Sequence, residues 1–214
     1  LLDDKKLEFL KGVDGYVHLS LDGPAEANAA RLAGTGPGAQ KIMEAALRRL
    51  AASGLPHHVN AVVTPERAAA FDRDLLDLEA LGARRIQFGY AVGALWSKRA
   101  VSELLASLDR YAVRGKAELI NRNSESEPVM LSRETIVDTD GSVYWDGGLF
   151  LEAALPKVRE ALRLGHLDDT LDVDSLGDDP RKPYDRLLAA YPPGTEGGHV
   201  ILNNIKVGLS LKRH

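Results

Sequence analysis

The 214-residue sequence contains no cysteine. That absence excludes disulfides, thiolate nucleophiles and thiolate-held metal centres from this chain. It also makes a reducing compartment, the cytoplasm, the default expectation. An excess of one sign of charge is lacking as well: 27 Lys and Arg against 31 Asp and Glu leave a formal net charge of -4. Such a balance gives no electrostatic footprint for nucleic acid or an anionic membrane. No apolar run approaches the roughly 20 residues that span a bilayer. The opening Leu1-Leu2-Asp3-Asp4-Lys5-Lys6 has no initiating Met and no apolar stretch behind its charges, so it does not read as a signal peptide. What is present, 44% hydrophobic and 27% charged residues, is the balance of a globular chain of one to one and a half domains.

The first half alternates helix and strand signals. Asp3 or Asp4 can cap a short helix that Gly12 stops, and residues 13–21 read as a strand with Val17, Leu19 and Leu21 on one face. After a Gly- and Pro-rich loop, residues 39–52 form a helix with Gly54 as its C-terminal cap. Residues 58–63 are a β-branched strand, and Thr64-Pro65-Glu66 is expected to open the next helix, with Thr as N-cap and Pro at the first position. That helix ends near Gly82, residues 84–90 form the next strand, and a helix is expected from Lys98 to about Ile120. Strands alternating with helices mean βαβ units and a parallel sheet. Three strands make half of a β/α barrel or a small open sheet.

The pattern changes after residues 123–128, a polar stretch that reads as a linker, which puts the domains at 1–123 and 124–214. Thr139-Asp140-Gly141 between two apolar runs signals a β-hairpin. A helix is expected over 152–164, then an irregular Asp- and Pro-rich tail with a short helix near 184–190 and a last strand at 200–205.

Four places in order resemble radical S-adenosylmethionine (radical SAM) enzymes of the peptide- and protein-modifying branch with a SPASM-like C-terminal extension. Residues 1–10 look like that branch's strand–helix junction with its front cut off. His18-Leu19-Ser20-Leu21-Asp22-Gly23-Pro24, with Asn28, Arg31, Gly36 and Gly38 behind it, resembles the fourth-strand motif and is the most specific piece. Val59-Asn60-Ala61-Val62-Val63-Thr64 is similar to the fifth strand, and Gly82-Ala83-Arg84-Arg85-Ile86-Gln87-Phe88 to the sixth. Val137-Asp138-Thr139-Asp140-Gly141-Ser142-Val143-Tyr144, followed by Leu164-Gly165-His166-Leu167, resembles the extension's hairpin and later turn. The departures are Ala27-Asn28 where the family usually has His-Asp, and Asp146 where a cysteine of the extension is expected.

The resemblance implies the C-terminal half of a radical SAM β/α barrel with a small, degenerate α+β extension. It implies S-adenosylmethionine and a 4Fe-4S cluster in the intact parent, whose Cys-x3-Cys-x2-Cys loop would lie upstream of Leu1, and a peptide or protein substrate. It implies Ser20, Asp22, Asn60, Phe88 and Arg31 as the cofactor-binding set. Four of them have a plainer reading: Ser20 and Asp22 as parts of an Asp-Gly-Pro turn, Asn60 as a core amide satisfied by backbone, and Arg31 as a structural or solvated cation. The chain alone would be inactive. Rival readings are a cluster-less pseudo-enzyme that binds a peptide or partner, and an unrelated β/α enzyme. The open edge near Val13 is expected to be covered by the missing N-terminal segment, by a second subunit or by the chain's own tail at Val200 to Ile205, the first being favoured.

Other candidates fall away on spacing. Gly34 to Gly38 lacks a Walker lysine. His57 and His58 are adjacent on a strand and face opposite sides. Asp138 and Asp140 lack the Glu that closes a calcium loop. The acidic run from Asp168 to Asp174 is a solvated face, and Trp96 and Trp145 are core or interface aromatics. Since iron–sulfur clusters are held mainly by thiolates, anaerobic reconstitution is expected to leave this chain without iron. Iron and sulfide that stay with the isolated chain through desalting would refute this.

Overall fold

The computed structural model describes residues 2–36, 38–121, 135–145, 151–152, 154–169 and 182–214. The expected linker at 123–128, Asp146 and the acidic residues from Asp172 lie outside them. The chain divides into two compact units, Leu1–Ala91 with Ser97–Ser124, and Val92–Trp96 with Glu125–His214. No described helix is long and apolar enough to cross a membrane.

In the first unit the order is α1 (Asp4–Gly12), β1 (Val17–Ser20), α2 (Ala39–Ser53), β2 (His57–Val63), a 3-10 turn (Ala68–Ala70), α3 (Phe71–Ala80), β3 (Arg85–Tyr90), α4 (Lys98–Arg114) and β4 (Glu118–Leu119). Asp3 caps α1, accepting from the Lys6 N–H at 2.9 Å. Gly54 ends α2 in the left-handed conformation that its missing Cβ permits. The strands form one sheet in the order β1-β2-β3-β4, every neighbouring pair parallel. Three neighbouring parallel strands follow from the sequence pattern; the fourth does not.

Two helix boundaries depart from expectation. Thr64 is not an N-cap. The Arg67 N–H closes a turn on the Thr64 carbonyl, and α3 starts only at Phe71. Side chains of α4 capture the intervening carbonyls: Ser107 Oγ donates to Ala68 O at 2.7 Å and Arg110 to Ala69 O at 2.9 Å. The long helix ends at Arg114 rather than near Ile120. Glu79 accepts from the Lys116 and Ala117 N–H groups and from the Tyr111 hydroxyl, which draws those amides away from a helical ladder. The freed segment pairs with β3 as β4.

The second unit has a three-stranded sheet, β5 (Thr135–Val137), β6 (Ser142–Trp145) and β7 (Arg163–His166), antiparallel throughout. The first two strands are the Asp-Gly hairpin, with Gly141 at φ 85°. Three helices belong to this unit among the described residues: α5 (Val158–Leu162), α6 (Lys182–Ala190) and α7 (Glu196–Lys212). Trp145, Leu151, Leu155, Val158, Leu162, Leu187 and Ile201 form its core. The helix expected over 152–164 is shorter because Pro156 disfavours helical backbone at Leu155, and Arg163 turns extended into β7. The strand expected at 200–205 is inside α7. Thr195 caps that helix, accepting from the Gly198 N–H at 3.1 Å, and Ile201, Asn204 and Val207 recur at helical spacing on its buried side. Local β propensity is overridden by a cap and a buried stripe.

Gly115 allows the turn from α4 into β4. A Cβ there would lie 2.3 Å from the ring of Tyr111, which is buried. Gly115→Ala is therefore expected to lower stability by about 1–3 kcal/mol through overpacking. The urea midpoint measures it; an unchanged midpoint would contradict this packing.

Candidate functional site

Period-two alternation gives the parallel sheet two unlike faces. Register aligns His18 with His58, Ser20 with Asn60, and Asn60 with Gln87, so these side chains share one face. The other face carries Val59, Ala61, Val63, Ile86, Phe88 and Tyr90, all buried. The polar face belongs to the first unit and is the candidate site.

Of the residues singled out from the sequence, Ser20 and Asn60 meet on this face across neighbouring strands. Phe88 does not join them. It pairs with Ala61, and its ring lies 6.0 Å from that of Phe71, on the side where α3 packs. Phe88 thus stands near the same end of the sheet but on its opposite face, and Gln87 takes the polar position. The sixth-strand motif alone does not say which of two adjacent residues faces inward; the register does.

Asp22 and Arg31 are brought to each other. Arg31 donates through Nε to one Asp22 carboxylate oxygen at 2.9 Å and through a terminal nitrogen to the other at 2.7 Å. The second oxygen also accepts the Val62 N–H at 2.7 Å. The carboxylate therefore continues the β1–β2 ladder one step past the Leu21 N–H, which donates to Asn60 O at 3.0 Å. Asn28 closes the turn: its Oδ1 accepts from the Asp22 N–H at 2.8 Å, and its Nδ2 donates to Gly23 O at 2.8 Å and to Gln40 Oε1 at 2.9 Å. Gly23 is required here. Its φ is 139°, and a Cβ would lie 2.9 Å from that of Asp74. The departure at Ala27-Asn28 is thus a working part of the turn.

A second group on the polar face carries no signal in the sequence. Tyr16, His18 and His58 cluster, with the His18 and His58 rings 4.1 Å apart and Tyr16 5.2 Å from His18. His58 is buried, hydrogen bonded to the Tyr16 hydroxyl at 3.1 Å and to Asn60 Oδ1 at 2.9 Å. Burial, and after it the neighbouring His18, hold His58 below the ordinary histidine value of 6.5, which keeps the ring neutral. Its neighbour His57 points away and bonds Leu55 O through Nδ1 at 2.8 Å. The spacing of His18 and His58, 40 residues apart, gives no local motif; only the register shows the pair. Among the described residues no group of three or more His, Asp or Glu is placed to hold a metal ion.

No family model matches the chain. In sequence it is similar to the PqqA peptide cyclase of Gluconobacter oxydans (strain 621H), 36% identical over 112 residues, which is 51% of this chain and 31% of that protein. In structure it is similar to anSMEcpe with bound AdoMet and Cp18Cys peptide, with a TM-score of 0.63 at 18% identity over 89% of this chain and 58% of that one. A histidine-tagged form of anSMEcpe with bound AdoMet gives a TM-score of 0.62 at 19% identity, over 86% and 53%. At this identity the structural likeness is one of fold. The chain spans about a third of the curated relative and a little over half of the solved ones. The likeness in sequence to a peptide cyclase agrees with the resemblance to radical SAM enzymes of the peptide-modifying branch, and the likeness in structure agrees with its fold.

The Asp22–Arg31 pair is nearly closed to water on the Asp side, where 7% of the side chain is exposed, against 30% for Arg31. Arg31→Ala would leave a desolvated carboxylate without its counter-charge. The expected loss is about 2 kcal/mol, below that for a fully buried pair because water reaches the guanidinium. Urea unfolding measures it, and a loss under about 0.5 kcal/mol would show that the Val62 amide suffices alone.

Proposed function

We propose that this chain forms part of a radical SAM enzyme that modifies a peptide or protein, and that its polar sheet face is the wall holding the nucleoside end of S-adenosylmethionine. The observation that carries this is the meeting of Ser20 and Asn60 on one face, inside a turn-and-strand frame whose motifs match the family in order. The donor set fits. A hydroxyl at Ser20 and amides at Asn60 and Gln87 suit ribose hydroxyls and base edges, while the face opposite is apolar and packed.

In this reading Asp22 and Arg31 act one step back. Their pair fixes the turn that follows β1 and so sets the position of Ser20 against Asn60. Phe88 backs the sheet from the helix side. When bound beside a reduced 4Fe-4S cluster, S-adenosylmethionine supplies hydrogen-abstracting radical chemistry. The thiolates for that cluster would come from outside this chain, which has none of its own. What these residues do is bind, orient and screen from water. The four parallel strands would be a barrel's C-terminal half, and the second unit a SPASM-like extension without cysteine. β1 is an edge of the sheet, and we assign that edge to the cluster-bearing N-terminal segment.

The test is a titration of S-adenosylmethionine into the isotope-labelled chain, followed by NMR. Side-chain and backbone signals of Ser20, Asn60 and Gln87 are expected to move. Ser20→Ala and Asn60→Ala should each weaken binding about three- to tenfold, the value of one hydrogen bond. Shifts confined to other surfaces, or none, would defeat the assignment.

A further inference from the structure

A line of side chains runs across the polar face from β4 to β2. Arg85 donates through Nε to Glu118 Oε2 at 3.0 Å and through a terminal nitrogen to the Tyr16 hydroxyl at 3.0 Å. The Tyr16 hydroxyl meets His58 Nδ1 at 3.1 Å, and His58 Nε2 meets Asn60 Oδ1 at 2.9 Å. Hydrogen-bond chemistry gives the line a direction. Arginine only donates, so the Tyr16 oxygen accepts from it. The one Tyr16 proton then goes to His58 Nδ1. A neutral imidazole that accepts at Nδ1 carries its proton on Nε2, so His58 donates to Asn60 Oδ1. The reverse direction would make Arg85 and His58 both donate to one phenolic oxygen and turn the proton of the exposed Tyr16 hydroxyl out to water. The line ends with the Asn60 carbonyl occupied by His58 and, among the described residues, no acceptor on its NH2 group, next to Ser20 across the β1–β2 register.

We propose that His58 is a positioning residue: through the line Arg85, Tyr16, His58 it fixes the Asn60 amide so that the sheet face offers an NH2 donor, beside the Ser20 hydroxyl, to an acceptor atom of a nucleoside. An asparagine without such a pin presents oxygen or nitrogen with little preference. This one is set for ligands that accept, such as ribose oxygens or purine ring nitrogens. The inference rests on the nucleoside reading of the site and adds the element that orients it.

Two measurements test it, using the labelled chain and adenosine as probe. The first reads tautomers by long-range nitrogen–proton NMR, without ligand. His58 is expected as the neutral Nε2–H form near neutral pH. Tyr16→Phe, which removes the donor to Nδ1, should raise the share of the Nδ1–H form. Finding His58 as Nδ1–H in the unaltered chain, or a tautomer share indifferent to Tyr16→Phe, overturns the pinning whatever the ligand does. The second follows the Asn60 NH2 signals and the affinity for adenosine. Binding should move those signals, and His58→Phe should weaken adenosine about three- to tenfold. Unchanged affinity in a folded His58→Phe chain overturns the positioning role and leaves the nucleoside site standing. If His58→Phe does not fold, Tyr16→Phe serves in its place, with a smaller loss expected in the same direction and no loss counting against the proposal. Absence of any Asn60 shift in the unaltered chain overturns the nucleoside reading, and the inference with it, while the tautomer result is still read separately.

Discussion

The Asp22 carboxylate is the joint on which the polar face depends. It accepts from the Val62 amide at the end of β2 and from both sides of the Arg31 fork, so one group ties the ladder's last rung to the loop that follows β1. A parallel pair has no hairpin to fix its register; hydrogen bonds at the strand ends and the packing of each face must do so. Here the carboxylate stands where a β1 backbone carbonyl would otherwise accept. A slip of one residue would exchange Ser20 for Leu19 or Leu21 and put apolar chains on the polar side. The cost of placing a carboxylate where water barely reaches is offset by the bidentate guanidinium and the amide together, as a buried charge requires.

The two faces of the sheet explain the mixed composition of its strands. Strands covered on both sides by apolar layers read as continuous hydrophobic runs. β2 instead reads His57-His58-Val59-Asn60-Ala61-Val62-Val63, apolar at every second position and mixed at the others. The odd-numbered residues of β2 from Val59 onward pack toward the helices, and the alternate ones put imidazole and amide groups beside those of β1 and β3. His58, which is buried there, would lack a partner if it stood alone. Linked in a line from Glu118 to Asn60, the side chains give it partners on both ring nitrogens.

Much of this is legible in the sequence because local and long-range signals agree. Gly54 ends α2, Asp3 opens α1, and Asp140-Gly141 turns the hairpin, each by a preference of a single residue for a single conformation. Ser20 and Asn60 are legible as a pair through motif order. What is not legible depends on partners distant in sequence. The end of α4 is decided by Glu79, which lies more than 30 residues upstream and accepts two amides that the helix would otherwise use. The start of α3 is decided by Ser107 and Arg110. Phe88 falls on the face opposite to Ser20 and Asn60 because a motif gives strand identity but not parity. The His18–His58 pair is invisible because each histidine alone looks like an ordinary strand residue.

The asparagines show the same logic at a finer scale. Asn28 stands in for backbone in the turn after β1, and Asn121 accepts from the Phe88 N–H at 3.1 Å and donates to the Phe88 carbonyl at 2.6 Å, extending the β3–β4 ladder past the end of the short strand. In the second unit Asn203 and Asn204 repeat the device from α7. Asn204 accepts from the Gly93 N–H and donates to Ala94 O, and Asn203 accepts from the Trp96 N–H and donates to Trp96 O. A carboxamide carries the same donor and acceptor as a peptide group, so it can complete a ladder where the chain has turned away. Each of these amides spends both its functions on backbone. Asn60 differs because a side chain, His58, occupies its oxygen. An amide whose carbonyl is held by a residue two positions away on the same strand face, and whose nitrogen has no acceptor among the described residues, fits the recognition role proposed for it; the other four are arranged to close the fold.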